Sequence, residues 1–198
     1  MSGVALITGS GRGIGAATAK LAAKRGYAVC VNYLKNEERA DEVVAEIRAG
    51  GGRAILVQAD TANADEVVRL FERVDLELGP VTALVNNAGI TGRAGRLDSF
   101  DAGAIRRVLE VNVVGAMLCS QQAVRRMSTR NGGAGGSIVN VSSLAATLGG
   151  ANQWIPYAAA KGAINSFTVG LAKEVAAEGI RVNAISPGLI DTEIHAEA

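Results

Sequence analysis

Tyr157 and Lys161 stand four residues apart in the run Tyr157-Ala158-Ala159-Ala160-Lys161. On a helix that spacing puts both side chains on one face, where they can meet the same ligand. A phenol beside an ammonium suits proton transfer. Tyrosine ionises near pH ~10, so a tyrosine base working at neutral pH needs a downward shift of roughly three units, about 4 kcal/mol of preferential phenolate stabilisation. A nearby cation acts in that direction. Ser143 lies upstream at the end of a predicted strand, with Ser142 beside it, and Asn112 lies inside a predicted long helix. Taken alone, a Tyr–Lys pair is more commonly an ordinary surface pair on an amphipathic helix. The rest of the chain has to decide.

A second chemical signal lies near the N-terminus, where Val4-Ala5-Leu6-Ile7 runs into Thr8-Gly9-Ser10-Gly11-Arg12-Gly13-Ile14-Gly15 and then into a helical pattern. Unpaired N–H groups and the positive dipole end of a helix N-terminus attract a pyrophosphate, and glycines let it approach the backbone. A glycine-rich turn by itself is weak evidence. Its strand and helix flanks are what a dinucleotide reading requires.

The elements that must carry these groups alternate along the chain. Apolar runs at 4–7, 28–31, 54–57, 81–85, 138–141 and 180–185 read as strands, most of them nearly continuous in apolar character, as parallel strands covered on both faces should be. Helical patterns fall at 14–25, 37–49, 65–78, a long one at 104–127, and 157–177. This alternation predicts an α/β fold, a doubly wound parallel sheet of Rossmann type with helices on both faces. The glycine clusters at 50–52 and 132–136 read as turns rather than linkers, so one domain over 1–198 is expected.

The glycine spacing is Thr-Gly-x-x-x-Gly-x-Gly, and it is followed in order by Asp60-Thr61 after the third strand, Asn86-Asn87-Ala88-Gly89 after the fourth, the Tyr157–Lys161 pair, and Pro187-Gly188-Leu189-Ile190-Asp191-Thr192 after the sixth. With these motifs the chain resembles the short-chain dehydrogenase/reductase family over nearly its whole length, on the branch that includes 3-oxoacyl-carrier-protein reductases and glucose 1-dehydrogenases. The resemblance implies an oxidoreductase that moves a hydride between a nicotinamide dinucleotide and a small-molecule alcohol or carbonyl substrate. It implies a catalytic tetrad of Asn112, Ser143, Tyr157 and Lys161, with Tyr157 as general acid/base and Lys161 also holding the nicotinamide ribose. Ser143 would hydrogen-bond the substrate oxygen, and Asn112 would hold a water linking Lys161 to solvent. Gly9, Gly11, Arg12, Gly13, Ile14 and Gly15 would cradle the cofactor, Asp60 would reach the adenine amine with Thr61 beside it, and Asn87, Ala88 and Gly89 would allow its close passage. Pro187, Gly188, Ile190 and Thr192 would cover the nicotinamide. One departure is that Ser143 precedes Tyr157 by fourteen positions, one more than the commonest family spacing, with the extra residue in the loop around Trp154.

The identity of the nicotinamide turns on the end of the second strand, where an acidic residue binds the 2′-hydroxyl of NAD and repels a 2′-phosphate. Val29-Cys30-Val31-Asn32-Tyr33-Leu34-Lys35 carries no acid there, and Asn32 occupies the expected discriminating place. Arg12 matches a position that NADP-dependent relatives use for the 2′-phosphate, and Lys35 is a nearby cation. NADP(H) is the expected cofactor, with NAD as the alternative that Asn32 tolerates.

Composition closes off other classes. Twenty Lys and Arg against 19 Asp and Glu leave no basic field for nucleic acid or an anionic membrane. One histidine, His195, and two cysteines, Cys30 and Cys119, in apolar runs give little from which to build a metal site or a disulfide. With no leader pattern and no spanning apolar run, a cytoplasmic protein is the default expectation. The resemblance adds a homo-oligomer, tetramer or dimer, pairing through the long helices with Val108, Val111, Met117, Ala163, Phe167 and Leu171. It also leads one to expect a lid, another helix and a seventh strand after Thr192, which the 198 residues do not contain, so the domain reads as truncated at its C-terminal end. The reading from a different class is a nicotinamide-dinucleotide-binding regulator or scaffold without turnover, for which an intact tetrad serves no purpose. A sugar-nucleotide epimerase is disfavoured by the glycine spacing and the short chain.

Overall fold

The structure, a computed structural model, describes residues 3–192. His195 lies outside the described residues. Six strands, β1 (Val4–Ile7), β2 (Ala28–Tyr33), β3 (Ala54–Gln58), β4 (Ala83–Asn86), β5 (Gly136–Val141) and β6 (Ile180–Ile185), form one sheet in the order β3-β2-β1-β4-β5-β6. Every neighbouring pair is parallel. β1 and β2 are buried at every position, which is why they read as unbroken apolar runs rather than as alternating ones. The strand order reverses between β1 and β4, so the crevice beyond their carboxyl ends is where such a sheet takes a ligand.

The helices divide between two cores. α1 (Gly13–Lys24) and α2 (Glu37–Ala49) bury Ala16, Ala19, Val43, Val44 and Ile47 against Ala5, Ile7, Val29 and Val31. On the other face α3 (Ala64–Glu77) and α5 (Gly115–Met127) set Leu70, Phe71, Val74, Cys119, Ala123 and Met127 against Leu6, Cys30, Leu84 and Ile138. The last long helix, α7 (Ile155–Val175), adds Val175 to that same core. Cys30 and Cys119 are free thiols fully enclosed there, and burial pushes the Cys119 thiol up to about 12. Among the described residues no group of His, Cys, Asp and Glu is placed to hold a metal ion, and no helix is long and apolar enough to cross a membrane.

The expected continuous helix over 104–127 is interrupted. α4 (Ala102–Leu109) passes into a π-helical turn at Glu110–Val114 before α5 begins. Asn112 sits in that turn and its Nδ2 donates to the Val108 carbonyl at 2.8 Å, four residues back. The side chain thus takes the acceptor an α-helical N–H would use, and the valines at 111, 113 and 114 add β-branched crowding. Single π turns of this kind recur at functional sites. The loop before α7 departs too. It holds the short helix α6 (Ala145–Leu148) and three left-handed residues, Gly149, Gly150 and Asn152, and this turn absorbs the longer Ser143–Tyr157 spacing.

Candidate active site

The glycine loop leaves β1 and enters α1 with Arg12 as its extended N-cap. No side chain caps the first turn and no acid lies in it, so its N–H groups and dipole end are open to an anion. Gly9 has φ +59° and a Cβ there would lie 2.9 Å from the Ala88 Cα; Gly13 has φ +54°, with Thr192 side-chain atoms at 3.3 and 3.4 Å from the same notional carbon. At Gly15 a Cβ would fall 2.6 Å from Asn87 Nδ2 and 2.7 Å from the Gly9 carbonyl. Gly11 also serves packing, because a Cβ there would press on Ala40 of α2 at 3.1 Å. Three of these glycines therefore shape the loop and its neighbours, and one lets α2 come close.

Two asparagines brace the loop. Asn87 Nδ2 donates to the carbonyls of Thr8 and Gly9 at 2.9 and 3.0 Å, while the Thr8 hydroxyl accepts the N–H groups of Asn87 and Ala88, both at 3.0 Å. From the other side Asn32 Oδ1 accepts the Gly9 N–H at 3.1 Å. Asn32 Nδ2 donates to the carbonyls of Ala59, Val57 and Tyr33 at 3.1, 3.3 and 3.4 Å, and the residue is 1% exposed. This corrects the expectation that Asn32 faces the cofactor ribose. Its side chain is spent within the chain, holding the loop to the ends of β2 and β3. Asn32→Asp is therefore expected to remove a donor from buried carbonyls and bury a charge, lowering stability by at least ~1–3 kcal/mol, without discriminating between cofactors. A thermal melt with titration of both nicotinamides tests this; an unchanged melting temperature with selective loss of NADPH binding would restore the ribose role.

Asp60 follows β3 and is partly exposed; Oδ1 accepts the Ala62 N–H at 2.9 Å and Oδ2 pairs with Arg107 of α4 at 2.9 Å. Thr61 beside it is buried, and its hydroxyl lies where a side chain on Gly115 would collide, 2.9 Å from the notional Cβ. After β6, the Pro187 carbonyl accepts the Leu144 N–H at 3.0 Å and Thr192 returns to Gly13, while Ile190 and Gly188 lie exposed between them.

The chemical groups converge beyond β4 and β5. α7 starts with Ile155 and Pro156, where the missing proline N–H is no loss, and places Tyr157 and Lys161 one turn apart. Tyr157 is half-buried with the Ser143 side chain near its phenol, and Ser143 Oγ accepts the Ala145 N–H at 3.1 Å. Ser142 turns the other way, 2% exposed, and its Oγ donates to the Lys161 carbonyl at 3.1 Å. Lys161 is 4% exposed, with Nζ donating to the Val141 carbonyl at 2.7 Å and lying 5.5 Å from the Tyr157 ring centroid. Burial lowers the Lys161 ammonium to about 8. Burial raises the Tyr157 phenol above its ordinary value, and the nearby Ser143 side chain only partly opposes it. In the free chain, then, Tyr157 is a protonated acid at neutral pH rather than a base.

Asn112 completes the group through its surroundings. Its Nδ2 donates to the Ile90 and Val108 carbonyls, both at 2.8 Å, and its Oδ1 is buried with no hydrogen-bond partner within the protein. A Cβ on Gly89 would lie 2.6 Å from that Oδ1 and 3.5 Å from Lys161 Nζ. Gly89 thus marks where Asn112 and Lys161 approach each other, a packing role that the sequence pattern did not disclose. Sequence reasoning also passed over Asn140. It is fully buried on β5 and hydrogen-bonded to Asn86 and Thr168, and the available signal was a polar residue inside the apolar run Ile138-Val139-Asn140-Val141.

The comparisons with known proteins agree with this arrangement. The family model described as short chain dehydrogenase matches residues 3–198. The oxidoreductase YgfF of Escherichia coli (strain K12) is 50% identical over 193 residues, 98% of this chain and 78% of that protein. A 3-oxoacyl-[acyl-carrier-protein] reductase of Synechocystis is 42% identical over 96% of this chain and 75% of its own. The crystal structure of a short-chain dehydrogenase from Burkholderia cenocepacia J2315, solved in complex with NADP, superposes with a TM-score of 0.89 at 42% identity, covering 97% of this chain and 76% of that one. A parallel sheet with its switch point at a glycine loop, a Tyr–Lys pair beside that loop and a family match along the whole described length lead to one conclusion: the chain belongs to the short-chain dehydrogenase family and is an NAD(P)-dependent oxidoreductase.

Proposed function

We propose that this chain is a carbonyl reductase and alcohol dehydrogenase that uses NADP(H), with Tyr157 as general acid/base and residues 1–198 acting as one dinucleotide-binding and catalytic domain. The observation that carries the reading is the buried Lys161 ammonium 5.5 Å from the centroid of the Tyr157 ring, with the Ser143 side chain on the same phenol. The residues present fit the cofactor, since Gly9 and Gly13 leave a cradle that a Cβ would fill or strain, at an uncapped helix N-terminus. The bound nicotinamide supplies the hydride in reduction and accepts it in oxidation. Ser143 donates a hydrogen bond to the substrate oxygen as charge builds there, and Tyr157 delivers the proton. The burial that keeps Tyr157 protonated suits the reductive direction. Lys161 holds ribose hydroxyls and offsets phenolate charge, and the unpaired Asn112 Oδ1 holds a water between Lys161 and solvent.

Arg12, Gly9, Gly11, Gly13, Ile14 and Gly15 take the phosphates; Asp60 and Thr61 take the adenine side; Asn87, Ala88 and Gly89 form the floor. Ile190 and Thr192 meet the carboxamide. NADP(H) is favoured over NAD because the end of β2 bears no acid and Arg12 stands exposed at the loop. The NADP-bound Burkholderia relative is in line with this. A panel of ketones and aldehydes, followed by loss of NADPH absorbance and repeated with NADH, tests both parts: turnover with NADPH and weaker use of NADH are expected, and turnover with neither cofactor would overturn the reading.

The buried ammonium gives a pH signature. Lys161 is charged below about 8 and loses its charge as pH rises through that value. Affinity for the anionic cofactor is therefore greatest below pH ~8 and is expected to fall roughly ten-fold between pH ~7.5 and ~9, the fraction protonated dropping by about that factor. Fluorescence titration of NADPH across this range measures it, and Lys161→Met, with nothing to titrate, should bind weakly and without that slope.

We further propose self-association through the outer faces of α4, α5 and α7. Val108 and Val111 turn inward, and the exposed apolar residues on these faces are Leu109, Val114, Met117 and Val169. Sedimentation at micromolar concentration decides between monomer and dimer or tetramer.

A further inference from the structure

We infer that Asn140 of β5 and Ser142, the first residue past its end, are positioning residues for Tyr157 and Lys161, fastening α7 to the sheet at two levels through buried hydrogen bonds. The inference rests on the catalytic reading of Tyr157 and Lys161.

Alternate residues of a strand point to the same face, so Ile138, Asn140 and Ser142 all point toward the side of α5 and α7. β5 climbs toward the catalytic end of the sheet, while α7 begins there and descends. Ser142, at the top, donates to the carbonyl of Lys161 itself at 3.1 Å. Lower down, Asn140 Nδ2 donates to Thr168 Oγ1 at 2.9 Å, and that hydroxyl donates on to the Ile164 carbonyl at 2.8 Å. Lys161 and Thr168 are seven residues apart, about two turns, and so lie on one helix face. Between the two fastenings Lys161 Nζ reaches the Val141 carbonyl at 2.7 Å.

The lower fastening is one rung of a ladder. Asn140 stands opposite Asn86 in the β4–β5 register, and Asn140 Oδ1 accepts from Asn86 Nδ2 at 2.9 Å. Asn86 Nδ2 also reaches Ser120 Oγ at 2.9 Å and the Ala116 carbonyl at 3.3 Å, both on α5. α5 continues directly from the π turn that carries Asn112. The side chains of Ser120, Asn86, Asn140 and Thr168, each under 9% exposed, therefore join the helix of Asn112 to the helix of Tyr157 and Lys161. Apolar contacts alone leave a helix free to slide or rotate by fractions of an ångström, whereas directional buried hydrogen bonds fix one place and one rotation, even though Asn86 Oδ1 has no partner in this ladder. Proton transfer needs that accuracy, since a displacement of about 1 Å can lower a rate ~10²-fold.

The test uses the full chain and four variants: Ser142→Ala and Thr168→Val, each removing one hydroxyl, and Ser142→Thr and Thr168→Ser, which keep it. The first pair should lower kcat about ten-fold, leave the Kd for NADPH within about two-fold, and move the acidic limb of kcat/KM for alcohol oxidation to higher pH, because a displaced Lys161 favours the phenolate less. The second pair should restore both. Wild-type kcat with an unmoved limb in Ser142→Ala and Thr168→Val overturns the inference, and so does a lowered melting temperature with kcat and limb unchanged, which is a structural role only. Equal losses in the conservative pair overturn it as well. Tyr157→Phe separates this inference from the reading beneath it: an active Phe variant sinks the catalytic assignment, while an inactive one beside a normal Ser142→Ala sinks the positioning role alone.

Discussion

Tyr157→Phe is expected to lower turnover at least ~10²-fold, about 2.7 kcal/mol of transition-state stabilisation, with the fold and cofactor binding intact. The substitution removes one oxygen from a half-buried ring and leaves the ring's body in place. The nearby Ser143 Oγ keeps the Ala145 N–H in the variant, so no buried polar group is orphaned and the structural cost stays near or below ~1 kcal/mol. The glycine loop and its Asn32 and Asn87 braces do not involve Tyr157. Loss of activity would therefore come from the missing proton donor. The contrast is Lys161→Met, where cofactor affinity and turnover should fall together, because Lys161 is assigned to both. Steady-state kinetics and an NADPH titration on the two variants separate these outcomes; wild-type turnover in Tyr157→Phe would remove the tyrosine from the mechanism.

The parts of the fold that the sequence made legible are those with strong period or punctuation. β1, β2 and β3 are continuous apolar runs, and the expected and observed strands differ by at most two residues at one end. α2 is bounded by Asn36, whose side chain caps its start, and by Gly50 at its end, both readable as helix boundary signals. The π turn at Glu110–Val114 was not legible, because its cause is a side-chain bond from Asn112 to Val108 that no periodicity encodes. Motif position located the candidate site, but not what each residue touches. Asn32 sat where a discriminating acid was expected, and the three-dimensional accounting gives both ends of its amide to backbone groups. Ser142 and Ser143 are adjacent and chemically identical, and only the structure separates them: Ser142 Oγ donates to the Lys161 carbonyl, while Ser143 Oγ accepts the Ala145 N–H on the Tyr157 side. Gly89 read as room for a cofactor, and the sequence did not show that a side chain there would also meet two side chains of the chain itself.

That last point yields the second large effect. Gly89 does not have a positive φ, so alanine carries no backbone penalty there and any consequence is steric. The added Cβ would lie 2.6 Å from Asn112 Oδ1, closer than a carbon and an oxygen can approach, and 3.5 Å from Lys161 Nζ. Asn112 cannot swing aside cheaply, because its Nδ2 is held by the Ile90 and Val108 carbonyls, the second of which belongs to α4 just before the π turn. Either those bonds break or the segment after β4 moves, and both displace Asn112 relative to Lys161. Gly89→Ala should lose ~1–3 kcal/mol of stability, the usual range for overpacking, and turnover should fall by about the ~10²-fold that a 1 Å misplacement produces. Asn112→Ala in the Gly89→Ala background removes the colliding oxygen, so the melting temperature should recover while turnover does not. Non-additive stability together with a lasting loss of activity is the signature of a packing contact inside a catalytic group. Wild-type melting temperature and turnover in Gly89→Ala would show that the contact between this glycine and Asn112 sets neither.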